Sequence, residues 1–187
     1  MAAARTDLKP RRPRPTHWVR GLPPIAGRDA RILILGSMPG VASIRAAAYY
    51  AHPRNQFWPI VAALYGIDAR SPYAERVAGL IRARVAVWDV LRQCARAGSL
   101  DAAIELNSAV ANDLGKFLRA HRAIDHIVFN GGLARQHFRR QWETAALAAR
   151  PNLHLLALPS TSPANASWSY EKKLESWRQA LLGSGSG

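Results

Sequence analysis

Four short apolar runs, each closed by a turn of glycine or polar residues, constrain this chain more than any other feature. They cover residues 32–35, 85–87, 124–129 and 153–158. None alternates apolar with polar residues, so each reads as a strand buried on both faces. Between and after them, residues 57–65, 73–84, 107–121, 133–149 and 167–182 carry apolar side chains at helical spacing. Strands alternating with helices require crossover connections and a parallel sheet covered on both sides. The expected class is α/β.

The turns that close the runs are distinctive. Gly36-Ser37-Met38-Pro39-Gly40 follows the first run and Trp88-Asp89 the second. Asn130-Gly131-Gly132 follows the third, and a Ser/Thr/Pro loop, 159–165, the fourth. Parallel strands bring these ends to one rim, where open α/β sheets bind ligands. A further polar cluster, Tyr49 to Asn55, precedes the apolar Phe57-Trp58. Together these segments read as a pocket for one flat nucleobase.

The flanks differ from the body. Residues 1–27 hold six basic residues, one Asp and five prolines without a hydrophobic period. A basic, flexible arm is expected there, with Trp18 and Leu22 available to pin its end. The folded domain is expected over 28–182, with a flexible Gly/Ser tail at 183–187. The stretch through Cys94, Gly98 and Asp101 reads as a loop or short helix. The opening residues lack the apolar core of a secretory signal, and their prolines oppose the amphipathic helix of an organelle address. No run is long enough to cross a bilayer. A single cysteine leaves no intrachain disulfide and no multi-cysteine metal site. A cytoplasmic monomer without metal or cofactor is expected.

Charge points to the partner. The chain has 26 Lys and Arg against 12 Asp and Glu, a net +14. Such an excess suits a polyanion, most simply nucleic acid. All the bases except Lys9, Lys116, Lys172 and Lys173 are arginines, whose forks fit phosphate oxygens. An arginine-rich codon bias is the competing explanation.

GSMPG, YYAHPRNQFW and LPSTSPANA, in that order, resemble the uracil-DNA glycosylase superfamily. Within it the pattern is most similar to the hypoxanthine-DNA (deoxyinosine) glycosylase branch, with mismatch-specific uracil glycosylases as the nearest cousins. The likeness covers about residues 31–182. It implies a three-layer α/β/α sandwich around a four-stranded, mainly parallel sheet. It also implies a monofunctional DNA repair hydrolase that flips a deaminated base, hypoxanthine first, out of DNA and cleaves its N-glycosidic bond. Release of uracil or xanthine is the alternative within the class; a DNA-binding protein that has lost catalysis is the alternative outside it. No lysine stands in the motifs, so a Schiff-base lyase step is not expected.

On this resemblance Gly36, Ser37, Met38, Pro39 and Gly40 line the base pocket. Many superfamily members carry Asp or Asn where Met38 stands, and a thioether cannot orient water; the hypoxanthine branch shares that absence. Asn55 is then the catalytic candidate, its amide bonding the departing purine or a water, with helix capping as its competing role. Tyr50 is expected to stack on the base, with Tyr49 as competitor, and Phe57 and Trp58 to sit in the core. Trp88 and Asp89 are expected at the base edge, Asp89 accepting from hypoxanthine N1–H or else pairing with an arginine. His52, Asn130, Gly131, Ser160, Thr161, Ser162, Pro163 and Asn165 are expected on DNA. Among them, His52 would donate to a phosphate or else support its loop, and backbone N–H groups at Asn130-Gly131-Gly132 would meet a phosphate or else form only a turn and cap. The hydroxyls of Ser160, Thr161 and Ser162 would meet phosphates, and Thr161, Pro163 or Ala164 would wedge into the vacated stack.

Overall fold

A strand buried on both faces must offer apolar side chains to a layer on each side. A computed structural model describes residues 17–182 and shows how the chain meets that demand. The strands are β1 (His17–Arg20), β2 (Ile32–Gly36), β3 (Val85–Asp89), β4 (Leu91–Arg96), β5 (Val110–Ala111), β6 (His126–Asn130) and β7 (His154–Leu158). The helices are α1 (Val41–Arg45), α2 (Phe57–Tyr65), α3 (Tyr73–Arg82), α4 (Leu114–Ala120), α5 (Gly132–Gln141), α6 (Glu143–Ala149) and α7 (Tyr170–Leu182).

The larger sheet has the order β3-β2-β6-β7, and every pairing in it is parallel. Successive residues serve opposite layers. Leu33, Leu35, Ile127 and Phe129 pack with Phe117 of α4 and Phe138 of α5. Ile34, Val87 and Val128 pack with Phe57 of α2, Leu80 of α3 and Trp177 of α7. The result is the expected three-layer α/β/α sandwich. The four strands read from the apolar runs are all present, with β3 running on through Asp89.

Other segments differ from expectation for identifiable reasons. Of the stretch read as loop or short helix, the part around Cys94 is β4, the centre of a second, antiparallel sheet ordered β1-β4-β5, while residues 97–100 are loop and Asp101–Ala103 a short 3-10 helix as expected. The partners of β4 lie far away in sequence, so no local pattern announces it. The single helix expected over 107–121 begins only at Leu114, because Val110 and Ala111 pair with β4. Asp113 then starts α4, accepting from the Lys116 N–H at 2.8 Å. The helix expected over 133–149 breaks at Trp142, and a bidentate Arg135–Glu143 pair bridges the break. Within the segment expected as an arm, His17–Arg20 pairs with β4, and Ile25 exchanges backbone hydrogen bonds with Val87. Leu22 packs against the core, whereas Trp18 is exposed and pins nothing. The expectations for residues 1–16 and 183–187 lie outside the described residues.

α7 supports the rim from below. Trp177, fully buried, donates its indole N–H to Pro159 O at 3.1 Å. Lys173, also buried, donates from Nζ to Asn165 O at 2.9 Å, and burial lowers its pKa. Trp177→Ala is expected to cost roughly 3–5 kcal/mol of unfolding free energy. Urea unfolding measures it; a loss under about 1 kcal/mol would show that this layer can collapse around the gap.

Candidate active site

The site begins with the register of two strands. Gly36 of β2 lies opposite Asp89 of β3. A Cβ on Gly36 would stand 2.4 Å from Asp89 Oδ1, so glycine is what lets the carboxyl lie across the strand end. Past this pair, the N–H groups of Val90 and Leu91 bond Gly36 O and Ser37 O at 2.9 and 3.1 Å. Behind the turn, the fully buried Arg96 donates from Nη2 to Pro39 O at 2.6 Å, while its Nε and Nη1 find no partner among the described residues. The GSMPG turn is thus held from two directions.

A cleft of about 610 Å³ opens at this rim. Gly36, Ser37, Met38, Pro39, Gly40, Tyr50, His52, Asn55 and Asp89 all line it, as do Asn130, Ser160, Thr161, Ser162, Pro163 and Asn165. Two expected members do not. Trp88 turns to the other side of β3, where its ring packs on Phe117 and its Nε1 donates to Leu22 O. Gly131 keeps a φ of 106° and spends its N–H on Phe129 O and Leu158 O, so that group does not await a phosphate.

Asn55 both caps and faces the cleft. Its Oδ1 accepts from the Phe57 N–H at 2.9 Å, closing the first turn of α2. That bond fixes which way the amide points. Nδ2, the donor end, makes no hydrogen bond among the described residues, and Asn55 is one of the residues of the cleft wall. His52 Nδ1 accepts from the Arg54 N–H at 3.1 Å, which assigns the ring proton to Nε2.

Tyr50 has a left-handed backbone, φ 55°, that a non-glycine residue adopts only when its surroundings demand it. One ring face stacks on Phe57, centroids 4.0 Å apart. A base stacking on Tyr50 must therefore use the opposite face. Tyr49 is a core residue, its hydroxyl donating to Leu22 O, and Phe57 and Trp58 are buried as expected.

Asp89 is the chemically unusual group. It forms no ion pair with any arginine among the described residues, so the alternative of a salt bridge does not hold, and its Oδ2 has no hydrogen-bond partner. Burial, reinforced by the charge of Asp101 and opposed by Arg96, pushes its pKa up to about 8. The Tyr50 hydroxyl lies beside it, with its pKa raised by burial and then by Asp89, against a lowering contact from Asn130. Around neutral pH Asp89 is therefore largely protonated, offering one donor and one acceptor.

The last loop is built rather than loose. Asn130 and Thr161 bond each other twice, Nδ2 to Oγ1 at 2.9 Å and Thr161 N–H to Oδ1 at 2.8 Å. Thr161 is fully buried, so it is a post beneath the loop and neither wedge nor phosphate ligand. Asn130 likewise spends its amide inside the protein. Asn165 donates to Ser160 O and accepts from Ser167 Oγ. Ser160 and Ser162 accept from the Ser162 and Ala164 N–H groups, which leaves their own O–H protons to donate.

Sequence reasoning missed the residues that β4 delivers. Ser99, Leu100 and Asp101 join the cleft wall, and Ser37 Oγ donates to Asp101 Oδ2 at 2.7 Å. Asp101 keeps surface open to the cleft, yet desolvation by the surrounding protein raises its pKa, against the Ser37 bond and Arg96. Arg54, exposed on the cleft wall, was missed too. Only its place inside the HPRN cluster hinted at it.

This combination is that of an α/β/α protein with an open cleft at the carboxyl edge of a parallel sheet. The family model of the uracil DNA glycosylase superfamily matches residues 23–182, and the chain belongs to that superfamily. Hypoxanthine DNA glycosylase of Methanosarcina acetivorans is 31% identical over 157 residues, 83% of this chain and 94% of that protein. Hypoxanthine DNA glycosylase of Methanosarcina barkeri is 36% identical over 117 residues, 60% of this chain and 70% of that protein. A solution NMR structure of a candidate uracil DNA glycosylase from Methanosarcina acetivorans superposes with a TM-score of 0.72 at 29% identity. It covers 89% of this chain and 97% of its own.

The raised pKa of Asp89 makes a prediction about stability. Its folded value of about 8 against an ordinary 3.8 means the folded protein holds the proton more tightly than the unfolded chain. The stability this contributes is full below about pH 4 and lost as pH rises to about 8. Asp89→Asn should therefore gain melting temperature relative to the parent as pH rises through that window, with the largest gap above it. A pH-independent gap would show that Asp89 is ionised throughout.

Proposed function

We propose that this DNA glycosylase releases hypoxanthine from DNA by hydrolysis. The observation that carries the reading is the Asn55 amide. Its oxygen is tied to the Phe57 N–H, which leaves its NH₂ as the end free to donate, on a residue that lines the cleft. As the glycosidic bond breaks, the sugar becomes oxocarbenium-like and negative charge grows on the base. A preorganised donor aimed at that charge stabilises the transition state more than the ground state. The two curated relatives named hypoxanthine DNA glycosylase support the same base.

The other residues then take defined parts. The purine stacks on the free face of Tyr50. The neutral Asp89 carboxyl meets the lactam edge of hypoxanthine, accepting from N1–H and donating to O6. Asp101, held by Ser37, is the carboxylate that faces the sugar and holds the attacking water, a task Met38 cannot perform. Water supplies hydroxide to C1′ and a proton to the departing base. Arg54, His52 and the Ser160 and Ser162 hydroxyls hold flanking phosphates.

Duplexes carrying hypoxanthine, uracil or xanthine, treated with the protein and then alkali, test the reading. Hypoxanthine duplexes are expected to be cut fastest. Faster uracil or xanthine release would reassign the base, and binding without cleavage of any duplex would mark a non-catalytic scaffold. Asn55→Asp keeps an acceptor for the Phe57 N–H and removes the donor, so it separates catalysis from capping. It should slow hypoxanthine release roughly 100-fold or more with little change in duplex affinity. Unchanged turnover would remove Asn55 from the reaction.

A further inference from the structure

Flipping a base leaves a hole in the stack, and an apolar side chain inserted between base steps is one way to fill it. The loop after β7 supplies little for that purpose. Thr161 is buried, and Pro163 and Ala164 are small. The other wall of the cleft offers what that loop lacks.

We propose that Leu100 is the wedge that occupies the gap left by the extruded nucleotide. A lone exposed leucine on a protein surface needs no explanation by itself. What distinguishes this one is its place and its support. Among the described residues the exposed large apolar side chains are Trp18, Ile81, Leu100, Leu106, Trp168 and Leu182, and of these Leu100 alone lines the cleft. Its exposure is 58%.

The tip that carries it is fixed on both sides. Val41 N–H donates to Ser99 Oγ at 3.0 Å, and Ser37 Oγ donates to Asp101 Oδ2 at 2.7 Å. The Leu100 carbonyl itself accepts from the Ala103 N–H at 3.0 Å. An apolar side chain held in solvent by three hydrogen bonds is preorganised: it gains by entering a base stack without a further cost of ordering its loop. The two loops also reach the cleft from opposite ends of the strand order, one following β7 and the other leaving the small sheet beside β3. Leu100 therefore enters the duplex from the side away from the Ser160–Asn165 loop.

This inference rests on the base-flipping reading, and its test separates the two. Release of hypoxanthine is measured for the parent, Leu100→Ala and Leu100→Met on two substrates. One is a duplex with hypoxanthine opposite cytosine; the other is the same strand with the hypoxanthine in a single-nucleotide bulge, where the base has no partner to lose. Leu100→Ala should lose roughly tenfold or more on the paired substrate while staying within about threefold on the bulge. Leu100→Met should restore most of the loss. A 2-aminopurine placed beside the lesion should brighten on binding the parent and less on binding Leu100→Ala. Equal loss on both substrates would mean the substitution merely displaces Asp101, and no loss on the paired duplex would mean the gap is filled otherwise; either overturns the wedge. If the parent cuts neither substrate, it is the function above that fails.

Discussion

Gly36 and Asp89 face each other at the carboxyl edge of two parallel strands, and the missing Cβ of one leaves the space that the carboxyl of the other occupies. The rest of the site is arranged around that close approach. It places a protonatable oxygen on the cleft floor rather than in solvent, and burial then keeps the proton on it to about pH 8. It sets the Tyr50 hydroxyl beside the same carboxyl, because a Gly36 Cβ would also stand 3.3 Å from that oxygen. A single side-chain atom at position 36 would displace the floor of the cleft.

The walls are held by polar groups that do not favour folding by themselves. Buried Arg96 grips Pro39 with two of its nitrogens left unpartnered, and buried Lys173 grips Asn165 with no acidic partner among the described residues. Removing such charges from water costs more than one hydrogen bond returns. Asn130, with both ends of its amide committed to Thr161, is the third of these ties. What the three share is position: each fixes a turn at a strand end. Stability is given up to hold the turns at the rim.

Much of this was legible in the residues. Double-sided strands require continuous apolar runs, so the runs located the sheet, and parallel pairing alone implied that the turns converge. The helix-capping role of Asn55 was visible from its place two residues before an apolar helix. Trp88 was misplaced although the two-residue period of a strand would have separated it from Asp89: Val85, Val87 and Asp89 share one side, and Trp88 takes the other. What no local pattern held was the second sheet. β4 pairs with His17–Arg20 and Val110–Ala111, so it is strand only through distant contacts. Because β4 was invisible, so were Ser99, Leu100 and Asp101, which it carries to the cleft. Thr161 and Gly131 were misjudged for a related reason, since only the tertiary structure shows a hydroxyl or an N–H already in use.

The most direct test of a purine slot at this rim is a crystal structure of the protein on a duplex carrying 2′-fluoro-deoxyinosine, whose glycosidic bond resists cleavage. The account predicts hypoxanthine outside the helix, its face on Tyr50, its Watson–Crick edge within hydrogen-bond distance of Asp89, and Asn55 Nδ2 donating to the ring. A base still stacked in the duplex, or one seated in the cleft without contact to Asn55 and Asp89, would contradict it.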